Sequence, residues 1–160
     1  MLIAIVSDSH GALDRLDALL NNLRGASIKN LIHAGDFAVD GIEAVLKKYP
    51  EINFFIAVGN CDVNEEILTG VRGLPNVVLA EIITTEIEGL KFAAAHYENT
   101  AKEKVPGAQV YCSGHTHRAK IERLGDKLFL NPGSLMDDGG YFLLNTKNLE
   151  IERKLFNAKV

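Results

Sequence analysis

The stretch LIAIVSDSHG, residues 2–11, decides how the rest of this chain is read. Leu2 to Ser7 form a short, continuous apolar run, the pattern of a strand buried on both faces of a parallel sheet. Asp8 and His10 follow at once, then Gly11. Beyond them Leu16, Leu20 and Leu23 recur at helical steps, and Gly25 offers a stop, which predicts a helix from Leu13. The unit then repeats. NLIHAG (30–35) predicts a second strand, Ile42, Val45, Leu46 and Tyr49 a helical stripe ended by Pro50, and NFFIAVG (53–59) a third strand, so the first part reads βαβαβ. A weaker helix is predicted near Glu65 to Val71. From there the pattern turns to strands: NVVLAEIITTEI (76–87), a turn at Glu88-Gly89, LKFAAAH (90–96), QVYCSG (109–114), AKIERL (119–124), a turn at Gly125-Asp126, KLFLN (127–131), YFLLNT (141–146) and LEIERKLF (149–156). This second half reads mostly as hairpins. A parallel half joined to a hairpin-rich half predicts two packed sheets with helices outside, in place of a simple doubly wound sheet.

The polar residues that look out of place share one position. Asp8 and His10 follow the first predicted strand, Gly35-Asp36 the second and Gly59-Asn60-Cys61-Asp62 the third. His96 ends a later strand, and Gly114-His115-Thr116-His117 follows QVYCS. In open α/β sheets the carboxyl ends of the strands form the edge where ligands bind, so these clusters should converge on one rim. Gly35, Gly59 and Gly114 suit tight exits from strands. Taken singly, Asp8 and Asp36 could cap the following helices, Gly59-Asn60 could be a plain turn, and an HxH at a hairpin start could be incidental. Their joint recurrence in this order favours a site. Carboxylates, one amide oxygen and several imidazoles suit Mn²⁺, Fe, Zn²⁺, Co²⁺ or Ni²⁺ better than an all-oxygen calcium site. The set suffices for two ions, which a bridging carboxylate would hold roughly 3.5–4 Å apart. His33, inside its strand, reads as a hydrogen-bonded core or supporting histidine, and Cys112 as a small buried hydrophobe.

Composition narrows the class. The chain has 160 residues, 47% hydrophobic and 24% charged, which predicts one soluble domain spanning 1–160. A net charge of -4 argues against a basic surface for a nucleic-acid duplex. The opening apolar run is too short for a membrane span and lacks the basic flank of a signal peptide, so a cytoplasmic protein is expected. Cys61 and Cys112 form no CxxC and are expected to be reduced thiols.

In order, DSH, GD, GNCD, a single strand-end histidine and GHTH, spread over nearly the whole chain, resemble the calcineurin-like metallophosphoesterases, specifically their small single-domain bacterial and archaeal phosphodiesterase branch. NPGS at Asn131 to Ser134 resembles that branch as well. The resemblance implies an α/β fold, a four-layer αββα sandwich of two mixed β-sheets flanked by helices. It further implies a binuclear site, one ion held by Asp8, His10, Asp36 and His117, the other by Asp36, Asn60, His96 and His115, with Asp36 as the bridge. The implied reaction is in-line attack of a metal-bridging hydroxide on a small phosphoester, foremost a phosphodiester, with monoester hydrolysis as a further activity. Manganese is the first expectation for the two divalent ions, with nickel, iron, cobalt and zinc as alternatives. The resemblance also implies that small relatives can form dimers or higher oligomers, so a homo-oligomer is one assembly open to this chain.

Two positions depart from the family. Cys61 stands where larger members carry histidine, a milder departure because the resembled small branch often has this GNC form, and a thiol is a weak donor, so modest activity and a preference for good leaving groups are expected. Tyr97 follows His96 where the family usually has glycine, which puts a ring near the metals to cap the pocket, to donate to substrate or to narrow access. Asp62 is expected to orient Asn60 or a ligating histidine, and NPGS to be a supporting turn. The alternative reading is a catalytically weak or inactive metal-binding scaffold, as in the retromer subunit of the same fold. The full histidine set favours an enzyme.

Overall fold

A computed structural model describes residues 1–156. Alternation along the first strand, β1 (Leu2–Val6), already separates two cores: Ile3 and Ile5 point into one, Ala4 and Val6 into the other, and all four are fully buried. Helix α1 (Leu13–Gly25) lays Leu16, Leu19, Leu20 and Leu23 on the Ala4–Val6 side. The alternation continues through β2 (Asn30–His33), α2 (Ile42–Lys47), β3 (Asn53–Ala57), α3 (Glu65–Arg72) and β4 (Val77–Ala80), and β1 to β4 are parallel. Asn64 starts α3 by accepting hydrogen bonds from the N–H groups of Glu66 and Ile67.

The chain then crosses to a second sheet with β5 (Ile82–Ile87), β6 (Leu90–Ala95), α4 (Glu98–Lys104), β7 (Val110–Cys112), β8 (Lys120–Leu124) and β9 (Lys127–Asn131). It returns to the first with β10 (Gly140–Asn145) and β11 (Ile151–Leu155). The first sheet has the order β11-β10-β1-β2-β3-β4 and the second β5-β6-β7-β9-β8, both mixed. Between them lies an apolar layer that includes Ile3, Ile5, Ile32, Phe92, Val110, Leu128 and Phe142. Helices α1 to α3 cover the outer face of the first sheet, and α4 covers the second through Ala101 against Ala93, Ala95, Tyr111 and Phe129. The result is the αββα sandwich. Burying each large apolar side chain in it stabilises the fold by roughly 1.5–3 kcal/mol.

Two local expectations need correction. NVVLAEIITTEI is not one strand: Val77–Ala80 pairs with β3 in the first sheet and Ile82–Ile87 with β6 in the second, so Glu81 is the crossing point between sheets. The second half is also less hairpin-rich than its pattern suggests, because α4 turns β6 and β7 into a parallel pair and β9 joins β7 in parallel. Helix α4 escapes periodicity because Ala101 is the one buried residue it has. Ion pairs from Glu98 to Lys102 and to Lys120 support it from the surface. Among the described residues, no helix is long and apolar enough to cross a membrane.

Candidate metal centre

Parallel pairing sends the carboxyl ends of β1, β2 and β3, and those of β6 and β7, to loops that interlock. The Asp8 N–H donates to Gly35 O at 3.0 Å, the His10 N–H to Asp36 O at 2.9 Å, and the Gly114 N–H to His96 O at 3.0 Å. These exits are strained. Asp8, His10, Asp36, His115 and His117 have φ of 50°, 41°, 60°, 67° and 56°, the left-handed region that costs side-chain-bearing residues of order 1–3 kcal/mol each. Five of the eight such non-glycine residues among those described are predicted ligands, so the strain is concentrated at this rim.

Neither aspartate caps a helix: the N-cap of α1 is Ala12 and that of α2 is Gly41, both without a side-chain cap. Each is oriented for the rim instead. One oxygen of Asp8, Oδ2, accepts from Ser7 Oγ at 2.5 Å and from the His115 N–H at 3.1 Å. Asp36 Oδ1 accepts from the Cys61 N–H at 2.9 Å. That leaves Asp8 Oδ1 and Asp36 Oδ2 facing inward. Close approach explains two of the glycines. A Cβ on Gly114 would lie 1.8 Å from Ser7 Oγ and 2.6 Å from Asp8 Oδ2, and one on Gly59 would lie 2.2 Å from Asp36 Oδ1.

The imidazoles complete the cluster. His96 Nδ1 lies 2.9 Å from Ala34 O, a group that only accepts, so the ring proton sits on Nδ1 and Nε2 presents its lone pair. His117 Nδ1 lies 2.6 Å from Asp137 Oδ2, which leaves His117 Nε2 in the same state when the ring is neutral. These lone pairs point at carboxylates, with His96 Nε2 3.3 Å from Asp36 Oδ2 and His117 Nε2 3.1 Å from Asp8 Oδ1. His10 Nε2 lies 3.7 Å from Asp36 Oδ2, 3.9 Å from Asp8 Oδ1 and 3.5 Å from His117 Nε2. His115 Nδ1 lies 3.2 Å from Asn60 Oδ1, and its ring centroid 5.2 Å from that of His96. The fold therefore brings together all seven residues singled out in the sequence.

Acceptor facing acceptor is a poor arrangement unless a cation lies between. Asp8 Oδ1 and His96 Nε2 are both buried without a hydrogen-bond partner, a state that costs about 1–3 kcal/mol per group. Ligand atoms of Asp8, His10 and His117, and of Asp8, Asp36 and His96, fall within 4.8 Å of one another in each group. Divalent metal fits this donor set.

The calcineurin-like phosphoesterase superfamily domain matches residues 1–148. The chain belongs to this family. Its relatives include the probable metallophosphoesterase YsnB of Bacillus subtilis, 32% identical over 84% of this chain and 75% of that protein. They also include the phosphodiesterase MJ0936 of Methanocaldococcus jannaschii, 28% identical over 83% of each. Among solved structures, a novel archaeal phosphodiesterase superposes with a TM-score of 0.83 at 24% identity, covering 97% of this chain and 99% of that one. Vps29 of Entamoeba histolytica complexed with Zn²⁺ superposes at 0.68 with 18% identity, over 98% and 100%. These likenesses show the metallophosphoesterase fold.

Around this metallophosphoesterase rim several residues take roles that the sequence left open or missed. Among the described residues the Asp62 carboxylate makes no hydrogen bond to Asn60 or to a histidine. Its buried carboxylate accepts from the N–H groups of Asp36, Phe37, Ala38 and Gly59 at 2.6–2.8 Å, so it ties the second exit loop to the third. An acid two residues past a candidate ligand reads as an orienter of that ligand, whereas four converging N–H groups come together only once both loops are folded. His33 Nδ1 accepts from the Gly35 N–H and its Nε2 donates to Ser9 Oγ at 2.9 Å. Burial pushes this imidazole down to about 4, so it stays neutral and supportive.

NPGS is the supporting turn expected. Asn131 Nδ2 donates to Gly114 O at 2.7 Å and Ser134 Oγ to Asp8 O at 3.1 Å. Three residues on, Asp137 is the partner of His117, and nothing in the sequence marks it beyond its proximity to this turn. Burial lowers the His117 pKa, but the Asp137 hydrogen bond and the charges of Asp8 and Asp137 leave it above its ordinary value.

Cys61 and Tyr97 flank the rim. Burial, then the hydrogen bond and charge of Asp36, push the Cys61 thiol up. The Tyr97 ring is 45% exposed and packs on His115 and His96 at centroid distances of 4.5 and 5.3 Å. It borders a groove of about 290 Å³ shared with Asn60, Glu81, His96 and Thr100, and on its other side a groove shared with His115, Thr116 and Lys120.

Proposed function

We propose that this metallophosphoesterase is a phosphodiesterase for small phosphodiesters, a single domain over 1–160 that works through two divalent metal ions. Asp8, His10, Asp36 and His117 would hold one ion, and Asp36, Asn60, His96 and His115 the other, with Asp36 shared. The observation that carries this reading is the pair of buried, unpartnered atoms, Asp8 Oδ1 and His96 Nε2, aimed into a ring of other lone pairs. When bound, two ions of this kind supply an activated water and neutralise charge on phosphoryl oxygens. Manganese is the first candidate, with nickel, iron, cobalt and zinc behind it.

The residues of the chain do the positioning. Asp8 and Asp36 each give one oxygen to the protein's own donors and turn the other inward, so neither carboxylate has to reorganise to bind a cation. His96 is held in one tautomer by Ala34 O. Cys61 carries a thiol, a weak donor, at the rim, which supports slow turnover and a preference for leaving groups that need no proton. Tyr97 leaves an open groove beside Asn60 and His96, compatible with small esters. The net charge of -4 favours such substrates over polynucleotide duplexes. Free Cys61 and Cys112 suit a reducing compartment such as the cytoplasm. The edge strands β8 and β11 offer surfaces for a homo-oligomer.

The test is hydrolysis of a chromogenic phosphodiester by metal-stripped protein, with and without added Mn²⁺, beside the matching monoester and an Asp36→Asn control. Turnover that requires Mn²⁺, vanishes in the variant and is faster for the diester is expected. No turnover above the variant with Mn²⁺, Ni²⁺ or Fe²⁺ would overturn the enzymatic reading in favour of a metal-binding scaffold.

A further inference from the structure

We propose that Asp137 is a positioning residue of the metal centre: it fixes the tautomer and orientation of His117, and Arg15 on α1 straps the loop that carries it. The proposal rests on the reading of His117 as a ligand. Asp137 Oδ2 sits 2.6 Å from His117 Nδ1, and a carboxylate only accepts, so the proton must be on Nδ1. Nε2 is thereby left facing Asp8 Oδ1 at 3.1 Å and His10 Nε2 at 3.5 Å, where a shared cation would sit.

The loop is built to deliver this carboxylate. Ser134 Oγ donates to Asp8 O and accepts from the Asp137 N–H, each at 3.1 Å. The N–H groups of Leu135 and Met136 donate to Ser7 O and Asp8 O at 3.0 and 3.2 Å. From the other side the Arg15 guanidinium donates to the carbonyls of Leu135, Met136 and Asp137. Asp138, the next residue, pairs with Arg153 and is not available to the site. The loop is therefore clamped between the exit of β1, which carries ligand Asp8, and α1.

His117 differs here from the other histidines of the centre. Behind His96 stands a neutral carbonyl, Ala34 O. An anion behind the ring raises the basicity of its far nitrogen, an arrangement worth about 10–100-fold in metal affinity. The Asp137 side chain is half exposed, so its pair with His117 adds little to folding stability by itself, and orientation can be separated from structure.

The experiment uses metal-stripped protein and two readouts that need no turnover: Mn²⁺ affinity by calorimetry, and the His117 tautomer by long-range ¹⁵N–¹H NMR of the metal-free, histidine-labelled chain. Wild type should show the Nδ1–H form at a pH where the ring is neutral. Asp137→Ala should lose that preference and bind Mn²⁺ about 10–100-fold more weakly at an unchanged melting temperature. Asp137→Asn, which keeps an acceptor and loses the charge, should fall between, and Arg15→Gln should shift affinity the same way by less. Affinity within about two-fold of wild type in Asp137→Ala, beside a large loss in His117→Ala, would overturn the positioning role alone. Wild-type affinity in His117→Ala would overturn the ligand assignment beneath it.

Discussion

The two sheets contribute unlike chemistry to one rim. Strand exits of the first sheet bring the oxygen donors Asp8, Asp36 and Asn60, with His10 among them, and exits of the second bring His96, His115 and His117. They are also held differently. The outer oxygens of Asp8 and Asp36 take donors, Ser7 Oγ and the His115 N–H for Asp8 and the Cys61 N–H for Asp36, whereas His96 of the second sheet leans on an acceptor of the first, Ala34 O. The first sheet thus sets the ring orientation of His96, which it does not carry. Neither sheet holds a site alone, and the apolar layer through Ile5, Ile32, Phe92 and Phe142 is what brings their exits into register.

The sharpest way to break this comparison is at Asp36, the carboxylate proposed to be shared. Asp36 Oδ2 faces His10 of one sheet and His96 of the other, so Asp36→Asn should lower turnover by at least about 10²–10³-fold, as when a group that stabilises transition-state charge is removed. Circular dichroism should show an unchanged fold. Asp62→Asn attacks the first sheet's own scaffold, replacing an acceptor of backbone N–H groups with an amide that also donates. A loss of about 3 kcal/mol in urea unfolding is expected. A loss in Mn²⁺ binding without that destabilisation would mean that Asp62 acts on the ligands directly.

His33 tests the same scaffold through pH. Its folded pKa is lowered, from 6.5 to about 4, so in that window the unfolded chain binds the proton that the folded chain refuses, and stability rises with pH. Acidifying metal-free protein from neutrality to about pH 4 should remove up to roughly 3 kcal/mol through this residue. His33→Gln should flatten that part of the profile, and an unchanged slope would show that the imidazole is not buried neutral.

On the second sheet's side, Gly114→Ala would drive a Cβ into Ser7 Oγ and Asp8 Oδ2, at an expected cost of about 1–3 kcal/mol in urea unfolding and a fall in Mn²⁺ affinity. The smallest effect is expected at Tyr97. Its ring is half exposed, so Tyr97→Gly should change stability by within about 0.5 kcal/mol. Any kinetic change should fall on KM more than on kcat, since the ring borders grooves and is no ligand.

Much of this architecture was legible in residues 2–59, where buried parallel strands leave unbroken apolar runs and the helices between them carry leucine stripes. The candidate ligands could be placed together for a related reason. A polar residue directly after such a run has to lie at the sheet's carboxyl edge, so Asp8, Asp36, Asn60, His96 and the GHTH pair could be placed on one rim before any distance was known. Helix α4 was not legible, because a helix that buries one alanine leaves no stripe to read. Nor was the break at Glu81, since the residues on either side suit a strand equally well and only their partners differ.

By itself the sequence determined which residues end the strands and what chemistry they carry, because both follow from local periodicity and residue type. Tertiary structure alone decided that Val77–Ala80 and Ile82–Ile87 belong to different sheets, that Asp62 gathers N–H groups from two loops, and that Asp137 stands behind His117. The physical reason is range. Strand and helix patterns repeat within a few residues of themselves, whereas these contacts join groups from separate exits, and such groups meet only after the sandwich has closed.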